Sequence, residues 1–287
     1  FGEFIGFAVN AMLAIKIGGS DAYDEIRKAE KKGIELLGED HVFLNLFRMK
    51  FANYLKKAGR FDEAREICRQ GIASIRKTLG DDSIYLTQMQ GSLGDVEYAA
   101  DRQEAAATGY REANRVYQAY AEKHGPEKYA RLQAECLQKL GRSLNILKKF
   151  DDAGQAFHKS IVLRQKHRVG EFAIAPSGLV VALLSTEREP VSQPAISRNA
   201  ARGKPRKAIS IAGIWIRAAR MLETKNPNLS DDDRIVIESL RLGAIAILDQ
   251  AVRNGFRNSQ KVLADPDLKT LSDHKAFPKL LKRMDRK

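Results

Sequence analysis

One segment of this chain returns, and that return limits the fold more than any other feature of the sequence. Leu37-Gly38-Glu39-Asp40-His41-Val42-Phe43-Leu44 is matched by Leu79-Gly80-Asp81-Asp82-Ser83-Ile84-Tyr85-Leu86, with Gly38 and Gly80 separated by 42 residues. A looser copy stands at Gly125-Pro126-Glu127-Lys128-Tyr129-Ala130 and another at Gly170-Glu171-Phe172-Ala173, each glycine 45 residues after the last. Self-similarity at such a period marks a stack of repeated supersecondary units. Glycine takes the left-handed conformation that ends a helix, and acidic residues just after it favour the start of the next.

A second signature lies between the glycines. Phe61-Asp62-Glu63-Ala64 recurs as Gln103-Glu104-Ala105-Ala106 and as Phe150-Asp151-Asp152-Ala153. Four residues after each final alanine stands a larger side chain (Cys68, Tyr110, Phe157), and seven residues after it a small one (Gly71, Ala113, Ser160). Ala22, Ile26 and Ala29 form an earlier copy with the same spacing. Offsets of four and seven share one helix face, so a second helix can approach that face closely. The preceding helices carry a bulky residue followed by a small one, at Phe51-Ala52, Leu93-Gly94 and Leu140-Gly141. Each unit therefore reads as two antiparallel helices joined by a short turn such as Ala58-Gly59-Arg60.

The large-then-small first helix, the Phe-x-x-Ala turn and the small residue seven further on resemble the tetratricopeptide repeat. The 42-residue spacing with Leu-Gly-acidic-Asp is similar to the longer variant of kinesin light chain. The resemblance covers residues 1–187 and implies an all-α, right-handed superhelical solenoid of antiparallel helix pairs that binds other proteins. It departs from the family pattern where a tryptophan is usual, since Arg48, Gln90 and Leu137 stand there, and where a proline usually follows the second helix.

Periodicity stops between Arg188 and Lys207. Pro190, Pro194 and Pro205 exclude a continuous helix there, and Arg198, Arg202, Lys204, Arg206 and Lys207 make the segment a basic linker open to an acidic partner. Residues 208–287 form a third region, a helical module that ends the stack. Ala208 to Leu222 resumes helical patterning around the single tryptophan, Trp215, and Ser230-Asp231-Asp232-Asp233 is a helix start. Ala244, Leu248 and Ala251 repeat the small-large-small spacing. The tail, from Ala251-Val252-Arg253-Asn254-Gly255-Phe256 through Asp265-Pro266-Asp267-Leu268 to Phe277-Pro278-Lys279-Leu280-Leu281, resembles the last repeat unit attached to serine/threonine protein kinases of planctomycete-type bacteria. As such it is a helical C-terminal cap, apolar inside and polar outside.

The net charge of +13 makes acidic protein surfaces, nucleic acid or anionic lipid plausible partners. Cys68 and Cys136 are too few for a disulfide framework or a zinc site and suit a reducing cytoplasm. The chain starts at Phe1, as a fragment or processed product would, and the apolar run from Phe4 to Ile17 is short of a membrane span and reads as a buried helix. Kinase and P-loop motifs are missing: His167-Arg168 runs into Val169, and Gly203-Lys204 into Pro205. His41, His124, His158, His167 and His274 have no metal-ligand spacing, and Asp231-Asp232-Asp233 is a helix cap before it is a chelator. No cofactor or metal is expected, and no enzyme activity.

What remains is surface. Projecting the repeat register puts Met49, Asn53, Lys56 and Lys57 of one repeat, Asp95 and Tyr98 of the next, and Gln138, Arg142 and Asn145 of the third on the first helices, where a concave groove would hold a protein or peptide. The carboxylate clamp of chaperone-binding relatives is not reproduced, since Met49 stands where a cation is needed. The reading is a cytoplasmic protein-interaction scaffold from a larger bacterial signalling protein associated with a serine/threonine kinase. The alternatives are a nucleic-acid-binding protein using the basic linker and tail, and a peptide-sensing regulator.

Overall fold

The computed structural model describes residues 2–17, 22–169, 174–186 and 205–285. Within them the chain is all-α, and no strand occurs among the described residues. Fourteen helices follow in order among these residues: α1 (Gly2–Ile17), α2 (Ala22–Leu37), α3 (Val42–Lys57), α4 (Phe61–Leu79), α5 (Ile84–Ala99), α6 (Gln103–His124), α7 (Ala130–Ile146), α8 (Phe150–Lys166), α9 (Ile174–Thr186), α10 (Pro205–Lys225), α11 (Asp231–Arg253), α12 (Ser259–Leu263), α13 (Pro266–Lys269) and α14 (Phe277–Met284). The described parts fall into two compact units, 1–129 and 130–287.

The repeat signature is written into both kinds of turn. First helices are capped at equivalent positions, where the His41 ring accepts from the Phe43 amide and the Ser83 hydroxyl from the Tyr85 amide, each at 3.3 Å. The turns between first and second helices share one hydrogen-bond pattern, in which Arg60 donates to Leu55, Arg102 to Glu97 and Lys149 to Leu144, all backbone to backbone. This is the six-to-one closure that needs a left-handed residue just before the donor. Gly59 fills that place in the first turn, but Asp101 and Lys148 adopt it in the next two, at φ 58° and 59°.

Packing inside each repeat follows from the matched large and small residues. A Cβ at Gly94 would lie 2.7 Å from the Tyr110 ring, and one at Gly141 would lie 2.8 Å from the Phe157 ring. Tyr110 on α6 and Phe157 on α8 therefore lie directly against Gly94 and Gly141 of the first helices. Ala52 and Cys68 hold the corresponding places in the first of these repeats, and both are fully buried. Ala29 and Ala113 on second helices are also fully buried, and Gly71 meets Met89 of the following first helix.

In the first unit the core runs from Phe4 and Ile26 through Phe51 and Leu55 to Met89 and Val96. Polar bonds lock the stack beneath it. Asn45 donates to the Ser74 hydroxyl at 2.7 Å within the protein interior. Arg48, one of the residues replacing the usual tryptophan, is 1% exposed, and donates to the Glu39 carbonyl and to Asn45 at 3.0 and 3.2 Å. The expectation that α1 is a buried helix holds on one side only. Phe4 and Ala11 are buried, while Ile5, Val9 and Leu13 are about half exposed, because no helix among the described residues covers their face.

The second unit begins with two more repeat helices and ends differently. α11 starts with a reciprocal cap between Ser230 and Asp233, and this start docks on α8: His158 meets Asp233 at 3.0 Å and Lys166 meets Asp232 at 2.7 Å. The acidic run is thus a helix cap, and among the described residues no group of histidine, cysteine and acidic side chains could hold a metal ion. Trp215 is fully buried on Gly243, pairing α10 with α11. Ala244, Leu248 and Ala251 are buried as their spacing predicts.

The tail motif is structural in each part. Gly255 takes φ 90° and closes α11 with the same bond pattern as the repeat turns, Phe256 donating to Ala251. Asp265 caps α13 through the amides of Asp267 and Leu268. Asp267, nearly buried, ties the tail to α10 through Arg217 and Arg220 at 3.2 and 3.0 Å. Phe277 and Met284 are fully buried.

Candidate functional site

Helix contacts decide which side of a repeat stack is the inner one. In the first unit α5 lies against α3 as well as against α4 and α6, whereas the backbones of α2, α4 and α6 make no comparable contact with one another. The first helices are therefore the crowded side of this unit. In the second unit α7 touches both α8 and α9.

On α3 the residues facing out of that side form a single stripe: Phe43, Leu46, Lys50, Asn53 and Lys57, at helical spacings of three and four. Asn53 and Lys57 are exposed, and Lys56 and Met49 are half-buried beside them, with Met49 resting on the core. No carboxylate pairs with Lys50, Lys56 or Lys57 among the described residues, although Lys28, Lys32 and Lys77 all have acidic partners. On α5, Tyr98 is half-buried and Asp95 accepts a 2.8 Å hydrogen bond from the Tyr110 hydroxyl. Tyr110 thus reaches over Gly94 to fix Asp95.

Beneath this surface lies Cys68. Burial, helped by Asp95 and Glu97 and opposed by Lys56, pushes its thiol up to about 12. A thiol held so firmly protonated is a packing group, not a nucleophile.

The second unit presents its own set. Asn145 on α7 donates to the Gly178 carbonyl of α9 at 3.1 Å, and Gln138 accepts from the Arg164 guanidinium at 3.2 Å. Burial holds Arg164 below the usual arginine value. Arg142 is half-buried between these two residues on the same helix. Of the cations expected in the linker, Arg198, Arg202 and Lys204 lie outside the described residues, as does the glycine copy at Gly170. Arg206 and Lys207 fall in the first turn of α10, where Lys207 is exposed.

The stack therefore brings Met49, Asn53, Lys56 and Lys57 together on α3, with Asp95 and Tyr98 on the helix packed beside it. Gln138, Arg142 and Asn145 share α7 in the other unit. The register missed Phe43, Leu46 and Lys50, whose signal was present in the spacing to Asn53. It also missed the buried pair of Arg65 with Glu97, because neither residue is conspicuous in a chain rich in charge.

Residues 48–85, from α3 to the start of α5, match the family model described as Tetratricopeptide repeat. That stretch spans about one helix-pair unit of the chain. No curated protein matches the chain in sequence. Among solved structures, the tetratricopeptide-type fold is shared with the nearly identical TPR-like repeats of a protein named for kinesin light chain in Podosopora anserina, at 14% identity and a TM-score of 0.54, over 65% of this chain and 88% of that one. A single-substitution form of the same repeats aligns at 12% identity and a TM-score of 0.56, over 79% and 97%. BtubC from P. vanneervenii aligns at 19% identity and a TM-score of 0.52, over 88% and 81%. At these identities the likeness concerns the fold. Tetratricopeptide repeats in general mediate binding between proteins. No helix among the described residues is long and apolar enough to cross a membrane.

Proposed function

We propose that the chain is a protein-interaction scaffold that holds its partner on the first helices of its repeats. The observation that carries this reading is the row of Lys50, Asn53, Lys56 and Lys57 on the crowded side of the first unit, whose lysines have no carboxylate partner among the described residues. A lysine left unpaired beside an amide is suited to a carboxylate and a peptide group of another protein. Gln138, Arg142 and Asn145 give the second unit a polar surface of its own. The tail's likeness to kinase-attached repeats supports a place in a larger bacterial signalling protein acting in the cytoplasm, which the complete open reading frame would test.

The binding surface is tested by capture of partners from lysate, followed by mass spectrometry, with the wild-type chain and two variants. Replacing Asn53, Lys56, Lys57 and Tyr98 with alanine is expected to lose a specific protein that wild type retains. Replacing the linker cations Arg202, Lys204, Arg206 and Lys207 is expected to keep it. Retention by the first variant, with loss of salt-sensitive nucleic-acid binding in the second, would favour a nucleic-acid ligand instead.

A further inference from the structure

The face of α1 left uncovered by the described residues and the α3 stripe meet in one groove. It has a volume of about 510 Å³ and is lined by Ile5, Val9, Met12 and Leu13 of α1 and by Phe43 and Leu46 of α3. Val9 is 57% exposed and Leu13 53%, values that a packed helix does not reach on an apolar face. At its edge stands Lys50, whose side chain is the single polar one lining the groove among the described residues. Along the α3 stripe the surface then turns cationic, through Lys50 to Lys57.

The lining sets the conformation of whatever fills the groove. An extended segment turns part of its backbone amides and carbonyls toward the host, and this groove presents no amide, hydroxyl or carboxylate side chain to meet them. A helix satisfies its own backbone and needs only an apolar face. The charge sets the rest, since lysines without a carboxylate partner among the described residues continue the groove at one end only.

We infer that the groove between α1 and α3 takes an amphipathic helix of a partner protein, with a large apolar face and with glutamate or aspartate beyond one end of that face, against Lys50 and Lys57. This deepens the scaffold reading and rests on it, because it names the partner element that the first unit holds.

The test uses the whole chain and a fluorescein-labelled peptide of about five helical turns. The peptide carries leucines at helical spacings of three and four, with glutamates one to two turns beyond them. Fluorescence anisotropy is expected to show saturable binding. Val9→Asp and Phe43→Asp, both at exposed positions, are each expected to weaken it by about tenfold or more, with thermal melting by circular dichroism unchanged. Lys50→Glu is expected to weaken the glutamate peptide and to favour a version carrying lysines instead. No binding, or equal binding of a proline-interrupted peptide that cannot form a helix, overturns the inference. So does self-association of the free chain that Val9→Asp abolishes, since a second copy would then be the occupant. If the peptide fails while the Asn53 and Tyr98 variant still loses its captured partner, the groove inference falls and the scaffold reading stands.

Discussion

Arg65 on α4 grips Glu97 on α5 through two hydrogen bonds, of 2.6 and 3.2 Å, and both side chains are nearly buried. Asp62 accepts a third bond from the same guanidinium. The pair joins one repeat to the next, beside the apolar contact of Gly71 with Met89 and the longer pair of Arg102 with Asp62. Removing one partner leaves the other charge in the interior, at a cost of about 3–5 kcal/mol. Arg65→Ala is therefore expected to lower the urea midpoint sharply. The double change Arg65→Met with Glu97→Leu should restore most of the loss. A single variant as stable as wild type would show that the pair contributes little.

Glycines at close contacts and glycines in open packing should respond in opposite directions. Gly141 lies under the buried Phe157 ring, so Gly141→Ala forces the ring to move and is expected to cost about 1–3 kcal/mol. A Cβ at Gly154, one helix later, meets nothing nearer than 3.9 Å. Gly154→Ala is expected to stabilise by about 0.5–1 kcal/mol through helix propensity. Thermal melting of the two variants checks the pair, and a shift of the same sign in both would refute the packing described for this repeat.

The tight turns offer a second comparison. Lys148 holds a left-handed conformation at φ 59° in the place that Gly59 takes in an earlier repeat. That conformation costs a residue with a side chain about 1–2 kcal/mol. Lys148→Gly is expected to gain part of this, offset by the greater freedom of glycine in the unfolded chain, and Gly59→Ala to lose stability. Equilibrium denaturation gives both values, and a destabilised Lys148→Gly would count against the turn geometry.

Acid should loosen the start of α11. Burial raises the Asp233 carboxyl, but hydrogen bonds from the Ser230 hydroxyl and amide, together with His158, outweigh it and hold the group below its ordinary value of 3.8. A carboxyl with a lowered folded value stabilises fully above its unfolded value and loses that stabilisation as pH falls through the folded one. Stability should therefore decline as pH drops below about 4, and Asp233→Asn should flatten that part of the curve. Urea denaturation at stepped pH measures it. An unchanged slope would remove Asp233 from the acid response.

The repeat architecture was legible because it depends on volume and spacing, which a sequence displays directly. Gly94 and Tyr110, or Gly141 and Phe157, had to meet once their offsets matched. Arg48 was harder to read. As a charged residue at a tryptophan-like place it looked like a departure, yet it is buried among Asn45, the Glu39 carbonyl and Glu30, partners contributed by separate segments. Asp267 likewise read as part of a terminal motif, while its ion pairs reach back to Arg217 and Arg220 on α10. On the candidate surface, Asn53 and Lys57 stand exposed on α3, as their helical spacing requires. The groove that shares its stripe was missed because α1 was expected to be covered on all sides.

The way the helices of each unit meet also bears on the order in which a growing chain can become structured. In the first unit every substantial contact joins a helix to one of the next two in sequence, so each pair can settle as soon as it leaves the ribosome. The second unit has no such schedule. α8 must wait for α11, and α11 for α14, the last helix described. Translation must therefore pass α14 before this half can close, so a ribosome that stops ahead of that helix would release a finished first unit joined to an open second one, a ready substrate for quality-control proteases.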